Sequence, residues 1–242
     1  MSGEDGNTKG VPAVVKQESA KDQPFVIVIP IYEGVDLLDV APPYEIFQWM
    51  GEKWGERKVE VYLAAEQREQ PIFSRDRFQL TPHKTFDEIP RADLVWAPGG
   101  NPPDLGREMA NPAFLGFLRR IAKKADWVTA VCGGAFLLAE AELLDGHEVT
   151  THWAFLPCFE RYPNVRVAPG YPRYVRSGNR VTGGGISSSI DESLGLVILI
   201  AGEDVAREVQ LMTQYFPDPP VTGDIPGATV CALPPRTAGA AG

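Results

Sequence analysis

The chain has 242 residues, of which 44% are hydrophobic and 23% are charged, and these proportions are ordinary for a soluble globular protein. Its formal net charge is −9, and no cluster of basic residues interrupts the acidity, so we expect no nucleic-acid partner. The length suits one large domain with a well-buried core.

The cysteines and histidines argue against a disulfide framework and against a metal site. Cys132, Cys158 and Cys231 form no CxxC pair, and their odd number predicts free thiols, as in a reducing compartment. The three histidines lack metal-ligand spacing, so no metal cofactor is expected. The longest apolar runs are too short to cross a membrane, and the first residues are unlike a targeting peptide. We therefore expect a cytoplasmic protein with no membrane partner.

The two ends of the chain lack any hydrophobic periodicity. Residues 1–23 mix Gly, Ser, Lys and acidic residues, which predicts a disordered N-terminal arm. Residues 218–242 are rich in Pro, Gly and Ala, which predicts a flexible tail. Residues 24–217 remain as a single domain.

Within this domain, short apolar runs alternate with helical patterns. The runs typical of buried strands are 25–32, 58–64, 93–100 and 127–132. The helical patterns span 39–50, 111–124, 133–144, 186–201 and 203–214. This alternation predicts an α/β fold, a doubly wound and mostly parallel sheet with helices on both faces.

The strongest chemical signal is the junction at Cys132. The strand 127–132 runs directly into the helix 133–144, which places Cys132 on a tight turn like a nucleophile elbow. Gly133 and Gly134 tolerate a strained backbone and leave room for a substrate. A helix N-terminus lowers a thiol's pKa and offers N–H groups to an anion. The junction predicts a cysteine nucleophile, although a buried structural cysteine fits the same pattern.

Three further positions and one glycine-rich segment each allow a functional and a structural interpretation. Asp39 follows the first strand, at the sheet edge where ligands bind, and suits either a catalytic acid or a helix cap. Gly100 ends an APGG turn that offers N–H groups to an anion or is a plain turn. His152 is either a general base or a capping residue at a helix start. The glycines of 182–192 indicate an anion-binding turn or a closely packed helix start.

Five segments, in their order and spacing, resemble the DJ-1/PfpI superfamily and, within it, the bacterial isocyanide hydratases. They are LLDVAPPYEI, APGG, TAVCGGAFLLAEAELLDG, TTHWAF and VTGGGISSSID, and the resemblance runs from about Phe25 to Phe216. It implies a flavodoxin-like domain, a homodimer and a small-molecule substrate. The implied enzyme adds water to an isocyanide and releases an N-substituted formamide, without a metal or organic cofactor.

The resemblance also assigns roles to the candidate residues. Cys132 would attack the isocyanide carbon to give a thioimidate, and Asp39, now favoured as a catalytic partner over a cap, would relay protons. The N–H groups of Gly133 and Gly100 would stabilise charged intermediates, and His152 would line the substrate site.

The chain departs from the hydratase pattern at two points. Gly133 stands where the hydratases carry a hydroxyl residue, which removes a hydrogen bond that would orient Asp39 or the thiolate. The APGG turn is followed by NPPD rather than by more glycine, which reshapes the substrate pocket. Gly133 also replaces the histidine that follows the cysteine in the amidase- and glyoxalase-like branches, which disfavours a Cys–His protease.

Other functions of this superfamily stay open as alternatives. A DJ-1-like glyoxalase or amidohydrolase would use His152 as its base. A non-enzymatic redox sensor would use the oxidation of Cys132. A transcriptional regulator would need a DNA-binding helical module, and the short, Pro-rich C-terminal segment does not suit one.

Overall fold

The computed structural model describes residues 23–235. Its strands are β1 Phe25–Pro30, β2 Val59–Ala65, β3 Ile72–Phe73, β4 Gln79–Leu80, β5 Lys84–Thr85, β6 Leu94–Ala97, β7 Trp127–Val131, β8 Glu148–Val149, β9 Arg166–Val167, β10 Tyr174–Ser177 and β11 Arg180–Gly183. Its α-helices are α1 Ala41–Lys53, α2 Pro102–Glu108, α3 Pro112–Ala122, α4 Gly134–Glu140, α5 Ser188–Ala201 and α6 Glu203–Met212. Two 3₁₀ helices span Leu37–Asp39 and Trp153–Arg161.

A seven-stranded sheet with the order β10-β11-β7-β6-β1-β2-β5 forms the centre of the domain. Every neighbouring pair in it is parallel except β10 and β11, which pair antiparallel at one edge. Helices α1, α5 and α6 pack together, while α3 packs against α4 and β6. The predicted doubly wound, mostly parallel α/β fold is confirmed.

The sheet has its topological switch point between β1 and β6. From β1 the chain continues outward to β2 and β5, then returns to the other side of β1 at β6 and β7. Loops after strands on the two sides of such a point leave a crevice at the carboxyl edge of the sheet. The loops that follow β1, β6 and β7 carry Asp39, Gly99 and Cys132, so the fold gathers these three residues in that crevice.

Local sequence explains the boundaries of several elements. All six residues of β1 are buried, as expected for a continuous apolar run that is covered on both faces. Helix α1 begins at Ala41 rather than at Asp39, because Pro42 and Pro43 fit only the first helical turn. Asn111 caps α3 by accepting hydrogen bonds from the N–H groups of Ala113 and Phe114.

The structure corrects the expectations for two of the cysteines and for part of the tail. Cys158 and Cys231 form a disulfide, with their Cα atoms 4.6 Å apart, so the expectation of three free thiols is wrong. The residues from 218 to 235 have no helix or strand, yet Leu233 is only 4% exposed, so the segment around it is not a free tail. The 73-residue separation of the two cysteines carries no sequence signal, because tertiary packing alone brings them together. The predicted arm 1–23 lies outside the described residues, apart from its last residue.

Candidate active site

Cys132 lies on a strained turn between β7 and α4. Its φ angle is +55°, in the left-handed region that non-glycine residues rarely adopt. Its N–H donates to the carbonyl oxygens of Gly184, at 2.9 Å, and Gly183, at 3.2 Å, which holds the turn in place. Gly133 has an ordinary φ of −63°, so the strain expected at the glycines falls on Cys132 itself, as in a nucleophile elbow.

The two glycines after Cys132 lie in close packing, against backbone at Gly134 and against a leucine side chain at Gly133. A Cβ atom on Gly134 would overlap the carbonyl oxygen of Ala97, so only glycine lets α4 begin against the end of β6. A Cβ atom on Gly133 would lie 2.5 Å from Cδ2 of Leu105, a residue of α2. The backbone of Gly133 thus lies in a tightly filled corner of the crevice.

Asp39 is fully buried at the end of the first 3₁₀ turn. Its Oδ2 accepts a hydrogen bond of 2.9 Å from the N–H of Gly99, and its carbonyl oxygen accepts one of 2.8 Å from Trp96. Within residues 23–235, Oδ1 has no hydrogen-bond partner. The N-cap of the following helix α1 is Val40 and, among the described residues, no side chain caps that helix, so the alternative role of Asp39 as a helix cap is wrong.

The electrostatics of Asp39 and Cys132 are coupled. Burial raises the pKa of Asp39 well above its ordinary value and the charge of Asp36 adds to this, while hydrogen bonding to Gly99 and to the Cys132 thiol opposes it. Burial likewise raises the pKa of Cys132, and the charge of Asp39 raises it further. Hydrogen bonds from the N–H groups of Gly133 and Ile186 lower this pKa by less. The expected lowering of the thiol pKa at a helix N-terminus is therefore wrong, because desolvation outweighs it. Both shifts favour the protonated forms of the two groups.

Gly99, rather than Gly100, lies against the reactive pair. A Cβ atom on Gly99 would lie 2.9 Å from Oδ2 of Asp39 and 3.1 Å from Cβ of Cys132. A Cβ atom on Gly100 would instead lie against the carbonyl oxygen of Gly34, away from Asp39 and Cys132. Sequence reasoning missed Gly99, although it belongs to the same APGG turn, and the donor role of Gly100 stays a prediction.

A cavity of about 390 Å³ lies next to the residues that surround Cys132, although neither Cys132 nor Asp39 lines it. Three of its lining residues contact Cys132. The hydroxyl of Thr151 donates to its carbonyl oxygen at 2.6 Å, the carbonyl of Gly184 accepts from its N–H, and the N–H of Ile186 faces its thiol. The cavity thus leads to the residues that surround the thiol. Neither Thr151 nor Ile186 was singled out from the sequence, although each lies in a motif that was.

His152 caps a helix and lines this cavity at the same time. Its Nδ1 accepts a hydrogen bond of 3.2 Å from the N–H of Ala154 at the start of the 3₁₀ helix Trp153–Arg161. The ring packs against Gly185, where a Cβ atom would overlap it. Burial lowers the pKa of His152, so the imidazole is neutral at neutral pH. The capping interpretation is confirmed.

A second buried carboxyl lies next to the site. Glu192 of α5 is completely buried against Gly183, and neither of its side-chain oxygens has a hydrogen-bond partner among residues 23–235. Burial, and then the charge of Asp39, raise the pKa of Glu192 well above its ordinary value. The shift favours the neutral acid form of Glu192, and no sequence pattern pointed to this residue.

The described part of the chain has neither a metal-binding cluster nor a membrane-spanning helix. Residues 23–235 contain no group of three or more His, Cys, Asp or Glu side chains arranged to hold a metal ion. Over the same range, no helix has the length and apolar character that a membrane span requires.

The model of the DJ-1/PfpI family matches residues 26–197, which include Asp39, Cys132 and His152. This chain belongs to the DJ-1/PfpI family. Isonitrile hydratase from Pseudomonas putida is 34% identical over 203 residues, which cover 84% of each chain. An HTH-type transcriptional regulator from Pseudomonas aeruginosa is 27% identical over 140 residues, or 57% of this chain and 40% of the regulator. The superfamily predicted from the five motifs is confirmed.

Solved structures of DJ-1/PfpI proteins have the same fold. A ThiJ/PfpI family protein from Pseudomonas syringae superimposes with a TM-score of 0.74 and 25% identity, over 88% of this chain and 85% of that one. Drosophila melanogaster DJ-1beta superimposes with a TM-score of 0.65 at 16% identity, over 79% of this chain and 98% of its own.

Proposed function

We propose that the protein is an isocyanide hydratase that converts R–N≡C and water to the formamide R–NH–CHO. The observation that carries this proposal is the buried pair of Cys132 and Asp39, with one carboxyl oxygen unpartnered within the described residues, beside a small cavity. The identity to the Pseudomonas putida isonitrile hydratase, which extends over most of both chains, supports the same conclusion.

In the first step, sulfur adds to the terminal carbon of the isocyanide. The Sγ–C bond forms, and a proton from the Cys132–Asp39 pair moves to the same carbon, which gives the thioimidate R–N=CH–S–Cys. The raised pKa values of both groups favour a pair that carries this proton. The N–H groups of Gly133 and Ile186 stabilise negative charge on sulfur while the bond forms.

In the second step, water adds to the thioimidate carbon. Asp39 relays the proton: its carboxyl group gives a proton to the nitrogen and takes one from the water. The C–S bond then breaks, sulfur keeps the electron pair, and the remaining proton returns to the Cys132–Asp39 pair. The products are the formamide and the enzyme in its starting state, so the two steps add one water molecule and consume no other group.

Two observations favour a hydratase over the alternative functions. A glyoxalase or amidohydrolase would need His152 as its base, and Nδ1 of that ring already accepts the N–H of Ala154. A redox sensor needs a thiol that is open to the oxidant, whereas Cys132 is only 5% exposed.

The proposal is tested by incubating the purified protein with an alkyl isocyanide and, separately, with methylglyoxal. We expect formamide, identified by NMR, from the isocyanide and no turnover of methylglyoxal. Intact-mass spectrometry at early times should show an adduct of one isocyanide on the wild type and none on Cys132→Ala. Turnover of methylglyoxal alone would support the glyoxalase, and peroxide oxidation of Cys132 without turnover of either compound would support the sensor.

We further propose a homodimer, to be checked by light scattering, and a cytoplasmic location. The location no longer draws support from three free thiols, because Cys158 and Cys231 are joined in a disulfide. Fractionation of cells that express the full chain tests the location directly.

A further inference from the structure

The C-terminal segment 217–235 is anchored to the domain although it contains no helix or strand. Its anchor is the Cys158–Cys231 disulfide to the 3₁₀ helix Trp153–Arg161. Arg161, the last residue of that helix, donates hydrogen bonds to the carbonyl oxygens of Leu233, at 3.2 Å, and Pro234, at 2.8 Å. Covalent and polar contacts of Cys231, Leu233 and Pro234 thus fix the end of this segment on one helix.

The same segment reaches the cavity beside Cys132. Ile225 lines that cavity together with His152, Trp153 and Ile186, and it is still 48% exposed. One of the lining residues, Ile225, therefore comes from a segment without secondary structure of its own. The disulfide ties this segment to the helix whose first residue, Trp153, also lines the cavity.

The segment also contacts the helix that covers the nucleophile turn. A Cβ atom on Gly106 would lie 2.7 Å from Cγ of Pro234, so Pro234 packs directly on α2. The residue before Gly106 is Leu105, which fills the space at Gly133. The anchored segment thus contributes Ile225 to the cavity lining and packs Pro234 on α2.

We propose that residues 217–235 form a wall of the substrate cavity that the Cys158–Cys231 disulfide holds in place, and that Ile225 limits the size of the substrate's R group. The statement about substrate size rests on the proposed hydratase function. The cavity wall itself rests on contacts alone, so it is testable without any isocyanide. A segment without helix or strand keeps a defined position only where such tethers hold it.

The first experiment measures the access of reagents to Cys132. Cys132 is the one free cysteine in residues 23–235 of the oxidised protein, and it is the one cysteine left in the Cys158→Ala/Cys231→Ala variant. Each protein is alkylated with iodoacetamide and with the bulky N-pyrenylmaleimide, and the rates are followed by mass spectrometry. The ratio of the two rates cancels any change in the thiolate fraction of Cys132.

We expect the ratio of the N-pyrenylmaleimide rate to the iodoacetamide rate to be severalfold higher in the variant than in the wild type. An unchanged ratio in a folded variant would overturn the proposal. If the double variant does not fold, Ile225→Ala in the intact chain gives the same readout with the disulfide present. Val230→Ala is the matched control, because Val230 lies on the same segment, is 77% exposed and does not line the cavity.

The second experiment compares kcat/KM for a small and a branched isocyanide. Ile225→Ala should shift the preference toward the branched substrate by about tenfold and Ile225→Trp toward the small one, as expected when pocket volume changes by a few methylene groups. Val230→Ala should leave the preference unchanged. Turnover with a preference that is insensitive to residue 225 overturns the size-limiting role. Altered alkylation without any isocyanide turnover refutes the hydratase and leaves the wall standing.

Discussion

Leu105 occupies the space that a side chain on residue 133 would need, because a Cβ atom on Gly133 would lie 2.5 Å from its Cδ2. The resemblance to the hydratases implies a hydroxyl residue directly after the nucleophile. In this chain the glycine and the leucine of α2 form a packed pair instead. Gly133, where the sequence departs from the hydratase pattern, is thus packed against Leu105, a residue that no sequence pattern linked to it.

Gly133→Thr should therefore destabilise the protein by about 1–3 kcal/mol, the usual cost of adding atoms to a filled site. Leu105→Ala removes the obstructing atoms, so the double variant Gly133→Thr/Leu105→Ala should be more stable than the sum of the two single effects predicts. Urea unfolding of all four proteins gives the coupling free energy. Strictly additive effects would show that the two residues do not compete for this space.

Cys132→Ala and Cys132→Ser should abolish formamide production while leaving the fold intact, because sulfur is the nucleophile and its side chain is small. Activity is measured by NMR and folding by circular dichroism. The paired variant Cys158→Ala/Cys231→Ala is the matched control. It should keep turnover of a small isocyanide while losing about 2–4 kcal/mol of stability with its disulfide. Full turnover by Cys132→Ala would rule out the covalent mechanism.

Asp39→Asn should lower kcat by about two or more orders of magnitude, since the amide cannot relay protons. Its free energy of unfolding should change by no more than about 1–2 kcal/mol, because an asparagine oxygen can still accept the N–H of Gly99. Steady-state kinetics and urea unfolding measure the two effects. A folded Asp39→Asn protein with wild-type kcat would remove Asp39 from the mechanism.

The ultraviolet absorbance of the thiolate should place the pKa of Cys132 above that of a free cysteine, because burial and the charge of Asp39 both disfavour the anion. Asp39→Asn should lower the pKa of Cys132, since it removes that charge. Cys132→Ser supplies the background from tyrosine ionisation. A wild-type titration at or below the free-cysteine value would contradict the coupled, protonated pair.

Glu192 should make the protein less stable as the pH rises. Its folded-state pKa is raised, so above the unfolded-state value of 4.5 the unfolded chain releases this proton while the folded chain retains it. The free energy of unfolding therefore falls with rising pH until the folded-state pKa is passed. Glu192→Gln should remove this loss. The free energy of unfolding of the variant should therefore rise relative to that of the wild type as the pH increases above about 4.5.

Urea unfolding at several pH values tests this prediction. Glu208→Gln, at an exposed position on α6, is the matched control and should parallel the wild type. A Glu192→Gln stability profile that also parallels the wild type would show that Glu192 is ionised or solvated in the folded protein.

Much of the architecture was predictable from the sequence, because it depends on local patterns. The buried run of β1 and the capped start of α3 were recognised from hydrophobic periodicity and end residues. Cys132 at a strand-to-helix junction, and Asp39 after the first strand, follow from the rule that loops after parallel strands meet at one edge. The antiparallel β10 and β11 at the edge of the sheet gave no comparable signal, since each strand has only four residues and those of β10 are exposed or half-buried.

The sequence by itself thus determined the fold class, the family and the two residues proposed to react. Only the tertiary structure decided that Leu105 packs on Gly133, that Glu192 is buried beside Gly183, and that Cys158 bonds to Cys231. It also reversed the expected direction of the thiol's pKa shift. The physical reason is the same in each case. Packing, burial and the distance between charges depend on residues that are far apart in the chain, and no local pattern records which of them meet.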